Sequence, residues 1–404
     1  MLEFHKLTGQ VESMSEYLAG QEQSLEDKLE LALTLLNDYA DEKALPRIRE
    51  RVQEAIERDA GYRGASPLDE PLGGTYGPAP LPERATLVAT DGSQIYPRRH
   101  REPSYYLINI GTMVIHHGSG EAPEVFSEPY LFYEQEYLYL QDEGLTPNAV
   151  IDARRTIYEM TALTEHTWLC RDRARPLVAL LDNPLLFFMS IEVPERRQLR
   201  DIYFSSMNNL LEIGAGLAGY IDKPDSTFIV RLLHLLSLPE DAITRGALAT
   251  SGSLEGLRDI QVFSTLLKPG WRTALLVQMS PQNKQFRQQG SEMHEIAFFY
   301  LNVAAQGERA RLARIEIPMW VVRDRTLVAE MQALIYHQCQ QLTKRYPYIL
   351  TRADELAVVK GDEARQLDRM IRVAMVQHGM HAEESEKQAT KKIARGRKTR
   401  FEVG

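Results

Sequence analysis

Two aspartates follow immediately on short apolar runs: Asp91 ends "ATLVAT" and Asp182 ends "LVALL". An acid straight after a buried strand lies at the rim of a sheet, where open α/β folds bind their ligands. If the two strands are neighbours, the carboxylates approach each other, and their repulsion calls for a cation. Magnesium and manganese take hard oxygen ligands and are the natural partners. The helical stretch between the aspartates, "DARRTIYEMTALTEH", offers Glu159 and Glu165. They do not share a helical stripe, so only one of them faces such a site. Three acids from two strands and a helix can hold two metal ions, a pair that activates water and stabilises the leaving oxygen in phosphodiester hydrolysis. Plainer readings stand beside this one. Asp91-Gly92-Ser93 also reads as a hairpin turn, Asp182-Asn183-Pro184 as another turn, and either glutamate as a solvated helix residue.

The elements that must position these acids can be read in outline. Residues 1–60 carry leucines at helical spacing in "LEDKLELALTLLNDYA", followed after a proline by "LPRIRERVQEAIERDA", which predicts a helical arm. Residues 61–83 are rich in Gly and Pro and read as a linker, so that 1–83 forms an arm and linker. From Ala85 the pattern turns to strand. "ATLVAT", "SYYLINIGTMVIHHGSG" and "EVFSEPYLFYE" suggest an antiparallel meander. A helix is expected over about 148–173, then "PLVALLD" as a fully buried strand of a parallel sheet. "PERRQLRDIYFSSMNNLLEIGAGLAG" reads as mostly helical, "GYIDKP" as a strand and "STFIVRLLHLL" as a helix. "TALLVQMS", "IAFFYLNVAA" and "ARIEIPMWVV" are strand-like, with a helix at about 325–344 and another after "YPY". Strands mixed with long helices give an α/β or α+β domain over 84–360. A C-terminal helix and basic tail occupy 361–404, with seven basic residues after Glu386.

Composition narrows the chemistry. Hydrophobic residues make up 44% and charged residues 25%, ordinary for a globular protein with a sizeable core. The two cysteines, Cys170 and Cys339, point away from a disulfide scaffold and toward a reducing compartment. No run approaches the roughly 18 apolar residues of a membrane span, and the N-terminal stretch lacks a secretory pattern, so a cytoplasmic protein is expected. The net charge of -9 argues against a generic polyanion binder but is compatible with a nuclease, which needs only a local basic groove. There is no P-loop. "IGAGLAGY" follows a helical pattern rather than a strand and is rejected as a dinucleotide fingerprint. "TSGSLEG" is no nucleophile elbow, and His116-His117 has no nearby partners for zinc.

Several segments then line up in order: "ATDGSQ" after a strand, the helix "ARRTIYEM", the strand "LVALLDNPLL", "FSTLLKPGWRTALL", "FFYLNV" with "RIEIPMWV", and "YPYILTRADELAVV". Over about 84–360 the chain resembles the NurA family of nucleases. The resemblance implies a ribonuclease H-like mixed-sheet core with flanking helices. It implies that Asp91, Glu159 and Asp182 are metal-binding acids for Mn2+ or Mg2+, with Glu165 as the alternative helix ligand. It matches Tyr346 to a family tyrosine and puts Asp354 where the family carries a histidine. An aspartate can still ligate a metal but cannot act as a neutral imidazole. After Asp182 the family pattern is Asp-Gly-Ser-like, whereas this chain has Asn183-Pro184.

The resemblance also implies a homodimer, a HerA-type hexameric ATPase as partner, and cleavage of DNA single strands and 5'-3' exonuclease action in end resection or phage defence. Arg98, Arg99, Lys223 and Arg272 are candidates for neutralising phosphates. Tyr96, Phe299 and Tyr300 are candidates for base stacking, although the strand pattern around Phe299 and Tyr300 fits a core better. The competing readings are a non-catalytic DNA-binding adaptor that stimulates the ATPase, motivated by Asp354, and a phosphodiesterase acting on RNA or a small substrate.

Overall fold

The computed structural model describes residues 2–97, 103–140, 144–187, 193 and 195–380. The chain opens with two helices, α1 (Thr8–Asp38) and α2 (Leu45–Arg58). Pro46 sits in the first turn of α2, where its missing N–H costs nothing. Leu45, Ile48, Val52 and Ala55 recur every three or four residues and form the buried stripe of α2. Strands of four residues or more follow as β1 (Gly64–Pro67), β2 (Ala85–Ile95), β3 (Tyr106–His117), β4 (Glu124–Phe132), β5 (Leu177–Leu181), β6 (Gly216–Asp222), β7 (Leu276–Met279), β8 (Ile296–Asn302) and β9 (Leu312–Pro318). The longer helices among them are α3 (Asn148–Leu169), α4 (Arg196–Glu212) and α5 (Phe228–Ser237); α6 (Arg325–Gln340), α7 (Tyr348–Ala357) and α8 (Gly361–Gln377) come after the last strand.

One mixed sheet runs β1-β7-β8-β9-β6-β5-β2-β3-β4. Its half β4-β3-β2-β5-β6 is the ribonuclease H-like core. β3 is antiparallel to β2 and β4, while β2, β5 and β6 are mutually parallel neighbours. The first six residues of β2 and all five of β5 are buried, as expected of central strands covered on both faces. β4, at the edge, alternates between exposed and half-buried residues. Each Leu or Val buried in β5 is worth about 1.5–3 kcal/mol relative to exposure. The main core lies under α3, α4 and α6, and a second apolar core lies under α1, α2 and α5 at the other end of the sheet.

The meander, the parallel strand and the late strands agree with the sequence pattern. Two segments do not. Residues 61–83 are more than a linker. β1 pairs antiparallel with β7, and Thr75–Tyr76 pairs with Arg272–Thr273. The helical reading of "NNLLEIGAGLAG" runs too far. α4 stops at Glu212, and Gly214, at φ +62°, turns the chain. The Gly214 N–H donates to the Leu211 carbonyl and the Ala215 N–H to that of Leu210, the paired bonds of a Schellman stop. The small apolar residues that follow belong to β6.

Candidate acidic active site

The parallel pairing of β2 with β5 ends at Thr90 opposite Leu181. The next residues on the two strands are Asp91 and Asp182, so strand register alone sets these acids side by side. Across the antiparallel pair, Asp91 stands opposite Gly111 of β3, and directly opposed residues share a face. A Cβ on Gly111 would lie 2.3 Å from the Ala353 carbonyl oxygen, so α7 packs against the backbone there. The Ser93 hydroxyl donates to the Ala357 carbonyl at 2.5 Å, and Asn109 Nδ2 donates to the same carbonyl at 2.8 Å. These bonds fix the last turn of α7, which carries Asp354 to the side of Asp91.

Glu159 comes from α3 on the opposite face. The Thr90 hydroxyl donates to the Glu159 carbonyl at 3.0 Å, pinning the helix to the strand. A Cβ on Gly92 would lie 2.5 Å from Glu159 Oε1, so only glycine leaves room for this carboxylate. Asn183 Nδ2 donates to Glu159 Oε2 at 3.1 Å. Arg155 Nε lies 3.1 Å from Oε1, but not in hydrogen-bonding geometry, and both atoms are buried without a hydrogen-bond partner. Tyr346 projects from the turn between α6 and α7. Its ring meets Tyr220 edge-on at 5.2 Å, beside Asp182. Its hydroxyl approaches the Asp182 carboxylate, yet the two do not form a hydrogen bond of standard geometry.

Burial raises Asp91 to about 6; the Gly92 N–H works against the rise and Asp354 adds to it. Asp182 is also raised to about 6, first by burial, with Asp91, Asp354 and Asp222 adding to it and the Tyr346 hydroxyl opposing. Glu159 reaches about 8 through burial, Arg155 opposing and Asp91 and Asp182 contributing. Burial and the neighbouring acids push Tyr346 far above the ordinary phenol range, so it stays protonated. Buried acids that repel one another hold a proton tightly, and they hold a cation tightly for the same reason.

The donor set fits a hard divalent ion. It consists of oxygens only and includes Glu159 Oε1, a buried carboxylate oxygen that no N–H or O–H satisfies. Among the described residues, no three His, Cys, Asp or Glu side chains are already drawn to coordinating spacing, so closing on an ion requires these carboxylates to move inward.

The structure therefore brings Asp91, Glu159, Asp182, Tyr346 and Asp354 together. Glu165 is not among them. It is exposed and lines a separate cavity of about 510 Å³ with Tyr130, Phe132 and Tyr158. Arg272 is a correction. Only 7% exposed, it donates to both oxygens of Glu70 at 2.8 and 2.7 Å and lies 4.4 Å over the Tyr76 ring, so it cannot meet a phosphate. Its partner sits in the segment read as a linker, which hid the pair from the sequence. Lys223 is exposed at the end of β6, next to Asp222. Arg98 and Arg99 lie outside the described residues. Phe299 and Tyr300 are core, and the Tyr96 hydroxyl donates to Asp152 at 2.5 Å.

Other residues at the site went unmarked in the sequence. Arg155 donates to Gln94 Oε1 at 2.9 Å, and Gln94 in turn donates to Tyr96. Glu316 on β9 accepts from the Leu185 N–H at 2.8 Å, and the Tyr203 hydroxyl donates to the Leu185 carbonyl at 2.9 Å. Together they hold the loop that follows Asp182. The one available signal was a lone carboxylate inside the apolar run "RIEIP".

A family model for the NurA domain matches residues 85–359. Among solved structures, the NurA nuclease from Sulfolobus solfataricus is similar in fold at 12% identity and a TM-score of 0.52, covering 94% of this chain and 98% of that one. The catalytic domain of human Endonuclease V is a more distant likeness, with a TM-score of 0.31 at 12% identity over 81% of this chain and 98% of that one. A comparison with curated protein sequences finds no match.

Proposed function

The chain belongs to the NurA family, and from that premise we propose that it is a divalent-metal-dependent nuclease acting on DNA strands and ends. The observation that carries the reading is that Asp91 and Asp182, at adjoining ends of two parallel strands, and Glu159, from a helix, lie near enough to repel one another, with a buried Glu159 oxygen left without a hydrogen bond. Asp91, Glu159, Asp182 and Asp354 would hold Mn2+ or Mg2+, which when bound supplies an activated water and charge neutralisation at phosphorus. The residues of the chain do the rest. Asn183 orients Glu159 by its amide. Tyr346, kept protonated, offers an O–H to a phosphate oxygen or to Asp182. Arg155, steered by Gln94, is the cation of the chain beside Glu159 and Asp91. Lys223 stands exposed at the rim for the strand.

The family also supports action as a homodimer with a HerA-type hexameric ATPase that feeds DNA to the site, in repair or phage defence. The test is cleavage of labelled single strands and duplex ends by the purified protein in Mn2+ or Mg2+, alone and with the ATPase. Cleavage that disappears with chelator and in Asp91→Ala supports the reading, and undiminished cleavage by that variant sinks it. Asp354 in place of a histidine favours one second reading, a DNA-binding adaptor. DNA binding and ATPase stimulation without cleavage in any divalent metal would select it.

A further inference from the structure

Among the described residues, two that are not glycine take a left-handed φ: Lys223 at 46° and Arg345 at 53°. Side chains avoid this region unless the surroundings enforce it. Both residues adjoin the candidate site, Lys223 directly after Asp222 and Arg345 directly before Tyr346. One side chain ties the two turns together. Arg311 Nη2 donates to both oxygens of Asp222, at 3.0 and 2.9 Å, and Arg311 Nη1 donates to the Lys344 carbonyl. A second clamp acts on the same turn, where Arg345 Nε and Nη2 donate to the two oxygens of Glu308 at 2.9 and 2.8 Å. Glu308 is itself set by the Ala305 N–H, which donates to it at 3.0 Å, so the loop between β8 and β9 is closed on itself before it grips Arg345. The arginine bonds hold the Glu308 carboxyl down to about 2.

We propose that Arg345, Glu308 and Arg311 are positioning residues: the loop between β8 and β9 holds the 344–346 turn in its strained form, and that form presents the Tyr346 hydroxyl to Asp182. A forked guanidinium–carboxylate pair suits this task because it fixes direction as well as distance. A pair whose carboxylate is open to water, as that of Glu308 is, adds little to stability, so its role is better sought in geometry. The proposal rests on the nuclease reading for its kinetic arm only.

The experiment uses the full chain with 3-fluorotyrosine placed at position 346, in the wild type and in Arg345→Gly, Glu308→Gln and the exchange Glu308→Arg with Arg345→Glu. Arg345→Gly relieves the backbone strain and releases the clamp together. It is expected to keep or raise the thermal midpoint, shift or broaden the fluorine resonance, and lower kcat by about tenfold to a hundredfold with KM nearly unchanged. Glu308→Gln should act in the same direction and the exchange should recover part of the loss. Combining Arg345→Gly with Tyr346→Phe should cost no more than Tyr346→Phe alone. A fluorine resonance that does not move in Arg345→Gly overturns the proposal. So does a kcat loss that persists in full on the Tyr346→Phe background. If the wild type cleaves nothing in any divalent metal, the nuclease reading fails, and the fluorine resonance still decides the clamp.

Discussion

The chain buries carboxylates at both ends of its sheet and treats them in opposite ways. Asp259, in the second core, is fully enclosed and fully satisfied. Its Oδ1 accepts from the Ile229 and Val230 N–H groups at 3.0 and 2.9 Å, and its Oδ2 accepts from the Tyr300 hydroxyl at 2.7 Å. Glu70 likewise meets Arg272 with both oxygens. Glu159 is as deeply buried, yet its Oε1 has no hydrogen-bond partner and its nearest carboxylate neighbours repel it. The hydrogen bonds of Asp259 hold the second core together, whereas Glu159, whose neighbouring Arg155 stands 3.1 Å from it without a hydrogen bond, keeps a carboxylate oxygen able to take a further cation.

Breaking each side should give different losses. Asp91→Ala, or chelation of divalent ions, should lower cleavage by on the order of 10³-fold while the thermal midpoint holds or rises, because a repelling carboxylate is gone. Single-turnover rates and a melt on the same sample check it. Asp259→Ala should do the reverse, costing about 2–4 kcal/mol of stability by stranding three donors, with unaltered turnover per folded molecule. Denaturant titration measures the cost, and a loss below about 1 kcal/mol would break the contrast.

The pH dependence sharpens the comparison. Asp259 is raised from 3.8 to about 6, chiefly by burial, so the folded state binds its proton more tightly than the unfolded state. Its contribution is whole below the unfolded value and is lost as pH rises through about 6. Relative to Asp259→Asn, the wild type should therefore lose about 2 kcal/mol between about pH 4.5 and about pH 7. Paired denaturant curves across that window test the sign. A smaller effect follows at the active end. Glu159, raised to about 8, takes up a proton on folding at neutral pH, so Glu159→Gln, which keeps the shape and needs no proton, should stabilise the chain by about 1 kcal/mol there while abolishing cleavage. The mildest is Lys223→Ala, which should weaken DNA binding about threefold and flatten its salt dependence by about one phosphate contact.

The acids of the two strands were legible because an apolar run that stops at an aspartate is a local pattern. The choice between Glu159 and Glu165 was not. A helix carries no local mark of which face meets the sheet, and the answer lies in the room left by Gly92 on another element. β1 was illegible for the same reason, since its partner β7 lies some two hundred residues away. Arg272 was misjudged because charge in a sequence looks free until its counter-charge is located. Tyr346 and Asp354 were reached only through resemblance. Nothing local to "YPY" announces the clamp by Arg345 that sets it.

β2 carries a further consequence, which resembles that of a reading frame. Alternate residues face opposite layers: Asp91 looks to α7 and Gly92 to α3. Losing or gaining one residue between Ala85 and Thr90 would swap the two faces, driving a carboxylate into Glu159 and leaving a bare backbone toward Asp354. Substitution along the strand leaves the frame intact. A one-residue insertion or deletion ahead of Asp91 should therefore damage the site more than a substitution at any of the strand positions that lead up to it.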